Sequence, residues 1–163
     1  MSTSQALTAL GGAAPTQMGP LRFPLHGSRL IEASAGTGKT HTIASLYVRL
    51  VLGHGETEPV PPPGHNPPEI LVVTFTLAAA QELRERIRRR LAEAADYFRA
   101  PAAVGPAPSV GDELLHPLRA AYPAAEWPAK ARQLQLAAEW MDEAAISTIH
   151  AWCNRMLREH AFD

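Results

Sequence analysis

Cysteine is nearly absent from this chain, since Cys153 is the one cysteine among 163 residues. A single thiol cannot form an internal disulfide, which excludes the disulfide-stapled class of small secreted domains and favours a reducing compartment. It also cannot complete a zinc site, because the seven histidines are scattered without close pairing. We therefore expect no structural metal.

Long apolar runs are missing as well. No stretch approaches the roughly 18 consecutive apolar residues of a membrane span. The first twenty residues lack the charged and apolar regions of a signal peptide. We expect a soluble, cytoplasmic protein with no membrane partner. An excess of charge is also missing, because 15 basic residues face 16 acidic ones, so bulk charge neither favours nor excludes nucleic acid.

The chain does contain a phosphate-loop pattern, ASAGTGKT, at residues 33–40. Glycines at 36 and 38 allow positive φ angles, so that successive N–H groups can turn toward one anion. A helix that begins near Gly38 or Lys39 would add its positive dipole end. Lys39 would bind the β and γ phosphates, and the Thr40 hydroxyl would ligate Mg²⁺. The predicted nucleotide-binding residues are Ala33, Ser34, Ala35, Gly36, Thr37, Gly38, Lys39 and Thr40.

The flanks of this loop have the pattern that a working loop requires. Leu30 and Ile31 predict a short buried strand before it. Apolar residues then recur at helical spacing, and Gly53 is a plausible helix stop. The residues of this expected helical face are Ile43, Leu46, Tyr47, Leu50 and Val51. The alternative, a glycine-rich turn with a structural lysine, would need strand, loop and helix to coincide by accident.

The remaining chain alternates between apolar segments and proline-rich breaks. Residues 70–75 predict a strand covered on both faces, and strand, helix, strand connectivity predicts a parallel sheet. A long helix follows, then helices at about 112–121 and 128–143, a strand at 145–149 and a helix at 150–160. We expect Trp152, Met156 and Leu157 to point inward from that last helix.

Five arginines crowd the long helix after residue 76, at positions 84, 86, 88, 89 and 90. Glutamates at 82, 85 and 93 offset part of this charge. The pattern is compatible with a solvated, salt-bridged face and with a contact to phosphate. The sequence leaves both alternatives open.

Three ordered blocks carry a resemblance: LIEASAGTGKTHTIASLY, VVTFTLAAAQELRERI and ISTIHAWCNRML. They are similar to the nucleotide-binding motif, motif Ia and motif Ib of superfamily 1 DNA helicases of the UvrD/Rep type, and within that family to its RecB branch. The resemblance spans about residues 21–163. It implies an α/β fold: part of a RecA-like P-loop NTPase domain with a three-stranded parallel sheet and a helical insertion at about 100–143. The composition of residues 1–20, rich in Ala, Gly, Ser, Thr and Pro, predicts a flexible arm.

The resemblance also implies ligands and partners. ATP and Mg²⁺ would be the cofactors, with Thr40 reaching the metal through the nucleotide. Single-stranded DNA would be a partner, together with the remaining helicase domains and the other subunits of a RecBCD-type complex. The implied DNA contacts are Thr74, Thr76, Thr148 and His150. Threonines at such positions are also common helix caps, which is the structural alternative.

No catalytic residue is expected within this chain, because the family's acidic pair, coupling motifs and arginine finger lie further on. Asp142 and Glu143 are expected to have a structural role. Where an adenine-reading glutamine is expected, the chain has His26. The resemblance implies the ATP-binding part of a DNA helicase/exonuclease subunit in double-strand break repair and recombination, translocating on single-stranded DNA when full length and inactive alone. Alternatives are a small P-loop kinase, a stand-alone nucleotide-binding module, or an inactive remnant.

Overall fold

The structure is a computed structural model that describes residues 19–32, 38–55, 64–101 and 114–161. Most of the expected arm at residues 1–20 lies outside these ranges. Within them the chain forms five α-helices, two strands and three short 3-10 helices. The α-helices and strands are α1 Lys39–Leu52, β1 Val72–Thr74, α2 Leu77–Arg99, α3 Leu115–Ala120, α4 Trp127–Glu139, β2 Ile146–Thr148 and α5 Ile149–Glu159.

Glycines define both ends of α1. Gly38 precedes the helix with φ 83°, and Gly53 follows it with φ 68°, a left-handed conformation that only glycine adopts without strain. The predicted helix at residues 39–52 is therefore confirmed. Its buried stripe includes Val48 beside the expected Tyr47 and Val51, whereas Ile43 is 36% exposed. The core-facing stripe is thus rotated slightly from the predicted face.

The sheet has two parallel strands, with Val72 beside Ile146 and Thr74 beside Thr148. Both strands lie within the predicted segments and are shorter than those segments. Each strand passes almost directly into a helix, β1 into α2 and β2 into α5. Because the strands are parallel, both of these strand-to-helix junctions lie at the same edge of the sheet.

The predicted first strand is wrong. Leu30 and Ile31 have no strand assignment, and Leu30 is 81% exposed. A short apolar pair becomes a strand only when a neighbour supplies backbone hydrogen bonds and a surface to cover it. In the part of the chain that the structure describes, β1 and β2 pair only with each other. The predicted three-stranded sheet is a two-stranded sheet here.

The described residues of the segment predicted as a helical insertion are part of the core. α4 packs chiefly against α2, and α1 packs against the same helix. Leu118, Leu134 and Met141 from this segment are fully buried, and each such side chain contributes about 1.5–3 kcal/mol through burial. The other large side chains in this core include Tyr47, Leu52, Ile87, Leu91, Phe98 and Leu114.

Arg119 of α3 is a buried charge that joins α2 to α4. Its guanidinium lies 4.3 Å from the ring centroid of Tyr97 and 4.5 Å from that of Trp127. It donates hydrogen bonds to the carbonyl oxygens of Tyr97 at 2.7 Å and Ala100 at 3.3 Å. The cation is therefore satisfied by carbonyl groups and aromatic faces, and it connects three helices.

α5 is the least buried helix of the described chain. Trp152 and Met156 are half-buried, as expected, but Leu157 is 70% exposed, so its predicted inward orientation is wrong. α5 contacts mainly β1 and β2, which leave part of its apolar face uncovered. Among the helices in the described ranges, none combines the length and apolarity needed to cross a membrane.

Candidate functional site

The first part of the candidate site is the amino end of α1. Residues 33–37 of the predicted phosphate loop lie outside the described residues, whereas Gly38, Lys39 and Thr40 lie within them. Gly38 is left-handed, and its carbonyl accepts hydrogen bonds from the backbone N–H of Thr42 at 2.9 Å and the Thr42 hydroxyl at 3.2 Å. A Cβ on Gly38 would meet nothing within 4 Å, so backbone conformation and not crowding favours glycine there.

The electrostatics of this helix end favour an anion. No side chain of the described residues caps the N-terminus, and the first turn contains no acidic residue. Among the described residues, therefore, no side chain occupies the N–H groups of the first turn, and the helix dipole places partial positive charge on them. Lys39 is exposed and Thr40 is half-buried at the first two helical positions. An ammonium, a hydroxyl and free N–H groups together can hold a phosphate.

A cavity of about 130 Å³ adjoins this helix end, between α1 and α2. Thr40 and His41 line it from α1, and Arg86, Arg89 and Arg90 line it from α2. Sequence reasoning identified the arginine cluster but did not connect it with the phosphate loop. The spacing of positions 86, 89 and 90 could have indicated that these three arginines line one surface, because residues three and four apart share a helix face.

The second part of the candidate site lies at the carboxyl edge of the sheet. Thr74 and Thr148 are the last residues of β1 and β2 and are partners in the parallel register. Thr76 begins α2, and its hydroxyl accepts a hydrogen bond from Ala79 N at 3.1 Å. Three of the four predicted DNA-contact residues thus come from neighbouring strand ends or the turns that follow them, and the sheet brings them together.

The capping alternative is confirmed for two of these threonines. Thr148 caps α5 as Thr76 caps α2, with its hydroxyl accepting from Ala151 N at 3.1 Å. A hydroxyl that accepts from a helix N–H still has its own O–H to donate. Thr76 and His150 are exposed, whereas Thr148 is only 8% exposed. Thr76 is therefore the more accessible of the two caps.

Phe75 is an accessible residue that sequence reasoning missed. It lies between Thr74 and Thr76 and is 88% exposed. An aromatic ring held in solvent beside hydroxyl groups can stack with a planar ligand such as a nucleobase. Its position directly after an apolar strand run made it look like one more core residue.

Asp142 forms an ion pair with α2, whereas the structural role of Glu143 stays a prediction. Asp142 ends the 3-10 helix Trp140–Asp142, and its Oδ1 accepts a hydrogen bond from Arg88 at 2.6 Å. Within the described residues, no group of three or more histidine, cysteine, aspartate and glutamate side chains could hold a metal ion. The expected structural role of Asp142 agrees with this ion pair.

Comparison with known proteins shows to which family the chain belongs. A family model described as "UvrD/REP helicase N-terminal domain" matches residues 14–163. The RecBCD enzyme subunit RecB of Escherichia coli (strain K12) is 48% identical over 144 residues, which cover 88% of this chain and 11% of that protein. The RecB subunit of Haemophilus influenzae (strain ATCC 51907 / DSM 11121 / KW20 / Rd) is 44% identical over 146 residues, covering 89% of this chain and 12% of that protein.

A relative with another name also matches. An ATP-dependent helicase/nuclease of Pelotomaculum thermopropionicum (strain DSM 13744 / JCM 10971 / SI) is 35% identical over 136 residues, which cover 83% of this chain and 8% of that protein. The chain therefore spans about a tenth of the length of these relatives. Since the family model covers nearly the whole chain, this protein belongs to the UvrD/REP helicase family, through the N-terminal domain of that family.

Proposed function

We propose that this chain is the ATP-binding part of a DNA helicase subunit. The observation that carries the proposal is the amino end of α1, which no side chain of the described residues caps and where Gly38, Lys39 and Thr40 follow one another at the first turn. A helix end with free N–H groups and a lysine suits the β and γ phosphates of a nucleotide. The whole phosphate-binding set would be Ala33, Ser34, Ala35, Gly36, Thr37, Gly38, Lys39 and Thr40.

Each residue of this set has a distinct task in the proposal. Lys39 neutralises the phosphates, and the backbone N–H groups of the loop orient them. Thr40 would hold Mg²⁺, which supplies charge neutralisation on the phosphate oxygens when it is bound. The helix α1 and the parallel strands β1 and β2 support a RecA-like domain, of which this chain would form the amino-terminal part.

We further propose that the carboxyl edge of the sheet contacts the backbone of single-stranded DNA. Thr74, Thr76, Thr148 and His150 would donate hydrogen bonds to phosphates, which position a strand without reading its sequence. Exposed Phe75 would add a stacking surface. In the full-length protein, ATP would bind in a cleft between two such domains, and closure of that cleft would move the protein along the strand.

The names of the relatives support a wider role for the full-length protein. We propose that it acts as a helicase and exonuclease within a RecBCD-type complex, in double-strand break repair and recombination. Its other helicase domains and its partner subunits would complete this complex.

Calorimetry with Mg·ATP tests the nucleotide site. We expect Lys39→Ala to weaken binding about tenfold or more, since a hydrogen bond to a charged group is worth about 1.5–3 kcal/mol. Arg132→Ala is the matched control, because Arg132 is an exposed cation on α4 outside the cavity lining. Equal affinities of the two variants would refute the proposed site.

The DNA surface needs a variant that separates capping from phosphate contact. Thr76→Asp keeps an N-cap acceptor and adds a negative charge, so we expect an unchanged thermal midpoint and weaker binding of an oligothymidylate at low salt. Thr76→Ser keeps both functions and should bind as the parent chain does. If Thr76→Asp binds the oligonucleotide as tightly as Thr76→Ser across a salt series, the proposed contact is wrong.

A further inference from the structure

The five arginines of α2 differ in what they contact. Arg84 donates to the carbonyl oxygen of Ile146 at 3.1 Å and so joins α2 to β2. The other three that have partners among the described residues contact carboxylates: Arg86 contacts Glu82 at 2.9 Å, Arg88 contacts Glu85 and Asp142 at 2.6 Å each, and Arg90 contacts Glu93 at 3.4 Å. Four of the five arginines therefore have a partner within the fold.

Arg89 is the exception. It is exposed, and no carboxylate of the described residues lies within 4 Å of its guanidinium. It lines the cavity between α1 and α2, where Thr40 and His41 form part of the opposite wall. The one arginine of the cluster that neither pairs with a carboxylate nor joins α2 to β2 in the described chain therefore borders the space beside the phosphate-loop helix.

The charge of this cavity favours an anion. Three arginines and one glutamate line it, and these four side chains carry a net of two positive charges. The amino end of α1, where no side chain of the described residues forms a cap, adds the partial positive charge of its first N–H groups to the same rim. The volume of about 130 Å³ far exceeds the roughly 10–15 Å³ that one water needs. A multi-atom anion is the ligand class that such a cavity suits.

We propose that Arg89 is a phosphate-contacting residue that extends the nucleotide site from α1 onto α2. This inference rests on the proposed nucleotide function, since it assigns one more cation to the same bound oligophosphate. Thr40 is common to both parts, because it belongs to the phosphate loop and also lines the cavity. The planar guanidinium of Arg89 donates two parallel hydrogen bonds to phosphate oxygens, which an ammonium cannot reproduce.

Three probes distinguish the source of the phosphate: Mg·ATP, inorganic tripolyphosphate and an oligothymidylate. We expect Arg89→Ala to weaken the binding of Mg·ATP and of tripolyphosphate about tenfold, as measured by calorimetry. The affinity for the oligothymidylate should change no more than it does in Arg132→Ala. Arg89→Lys should recover part of this loss, because it keeps the charge and loses the paired donors. Because Arg89 is exposed, all variants should keep the parent's thermal midpoint.

Several outcomes would overturn the inference. If Arg89→Ala matches Arg132→Ala for both Mg·ATP and tripolyphosphate, Arg89 does not contact the bound phosphates. If only oligothymidylate binding is lost, the nucleotide assignment is wrong and the phosphate belongs to DNA. Lys39→Ala is measured in parallel. If Lys39→Ala weakens the binding of Mg·ATP and Arg89→Ala does not, this inference fails and the proposed function stands. If Lys39→Ala leaves the affinity for Mg·ATP unchanged, the proposed function itself is refuted.

Discussion

The Nε of Arg49 donates a hydrogen bond to Nδ1 of His54 over 3.2 Å. Since arginine can only donate, Nδ1 must be the unprotonated nitrogen of that imidazole. The same guanidinium donates to the carbonyl oxygens of Pro20 at 2.8 Å and Phe23 at 2.6 Å. One buried arginine near the end of α1 therefore connects the helix to the segment that precedes the phosphate loop.

This contact predicts a pH dependence of folding. Burial, and then the charge of Arg49, lower the pKa of His54 below its ordinary value of 6.5. Above pH 6.5 the imidazole is neutral in both states, so its contribution to stability is complete. As the pH falls below 6.5 the unfolded chain binds a proton that the folded chain resists, so the free energy of unfolding decreases.

Urea unfolding between pH 8 and pH 5 measures this effect. His54→Gln should flatten the acid side of the stability profile, because it removes the titrating group. The facing groups that remain are Arg49 and Tyr122, whose ring centroid lies 6.1 Å from that of His54. Burial raises the pKa of Tyr122 to about 12, so it does not titrate in this range. His26→Gln, at an exposed histidine, is the control, and an equal flattening in both variants would contradict the assignment.

Gly64 should be intolerant of any side chain. Its φ is +88°, and a Cβ there would overlap the carbonyl oxygen of Val51 at the end of α1. We expect Gly64→Ala to cost about 2–5 kcal/mol, from left-handed strain of about 1–2 kcal/mol and overpacking of about 1–3 kcal/mol. Gly27→Ala is the matched control, because Gly27 has φ +70° with its nearest neighbour at 3.8 Å. Denaturant unfolding of both variants checks this, and equal losses would rule out the overlap.

The contribution of Arg119 to stability should depend on the planar shape of its guanidinium as well as on its charge. Arg119→Lys keeps the cation but loses the flat guanidinium surface that lies against the rings of Tyr97 and Trp127. We expect a loss of about 1–3 kcal/mol in the free energy of unfolding, because a compact ammonium cannot stack on both rings as the planar guanidinium does. Arg132→Lys, at an exposed arginine, should change little. A stable Arg119→Lys variant would mean that charge alone matters.

The ion pair between Arg88 and Asp142 should contribute to stability and not to nucleotide binding. Both side chains are partly or largely exposed, so a double-mutant cycle with Arg88→Ala and Asp142→Asn should give a coupling of about 0.2–1 kcal/mol. Mg·ATP affinity should be the same in Asp142→Asn as in the parent chain. A loss of nucleotide affinity in Asp142→Asn would instead place this carboxylate in the site.

Much of the local structure could be predicted from the sequence because its signals are local. The bounds of α1 follow from a glycine at each end, and the positions of both strands follow from short β-branched runs. The strand at Leu30 was predicted wrongly because a strand needs a neighbour, and pairing is a property of the whole sheet. The roles of the arginines on α2 could not be predicted, since they depend on which groups of β2 and α1 lie opposite them.

The candidate site likewise combines features that could be predicted from the sequence with features that could not. The left-handed Gly38 and the start of the helix at Lys39 could be predicted from one stretch of sequence. The pairing of Thr74 with Thr148 depends on the register of strands that are far apart along the chain. The cavity beside Thr40 depends on how α1 packs on α2. Contacts of this kind are set by tertiary packing, which local pattern does not contain.

The burial of α4 against α2 has a practical consequence for anyone who wishes to trim this chain to a minimal nucleotide-binding peptide. A cut after Arg99 would keep the phosphate-loop helix but would remove Leu118, Leu134 and Met141, which are fully buried. The apolar surfaces of α1 and α2 would then face water, at a cost of several kcal/mol. The shortest useful peptide must therefore extend at least through Met141, although the residues proposed to bind the phosphates of the nucleotide all come before residue 90.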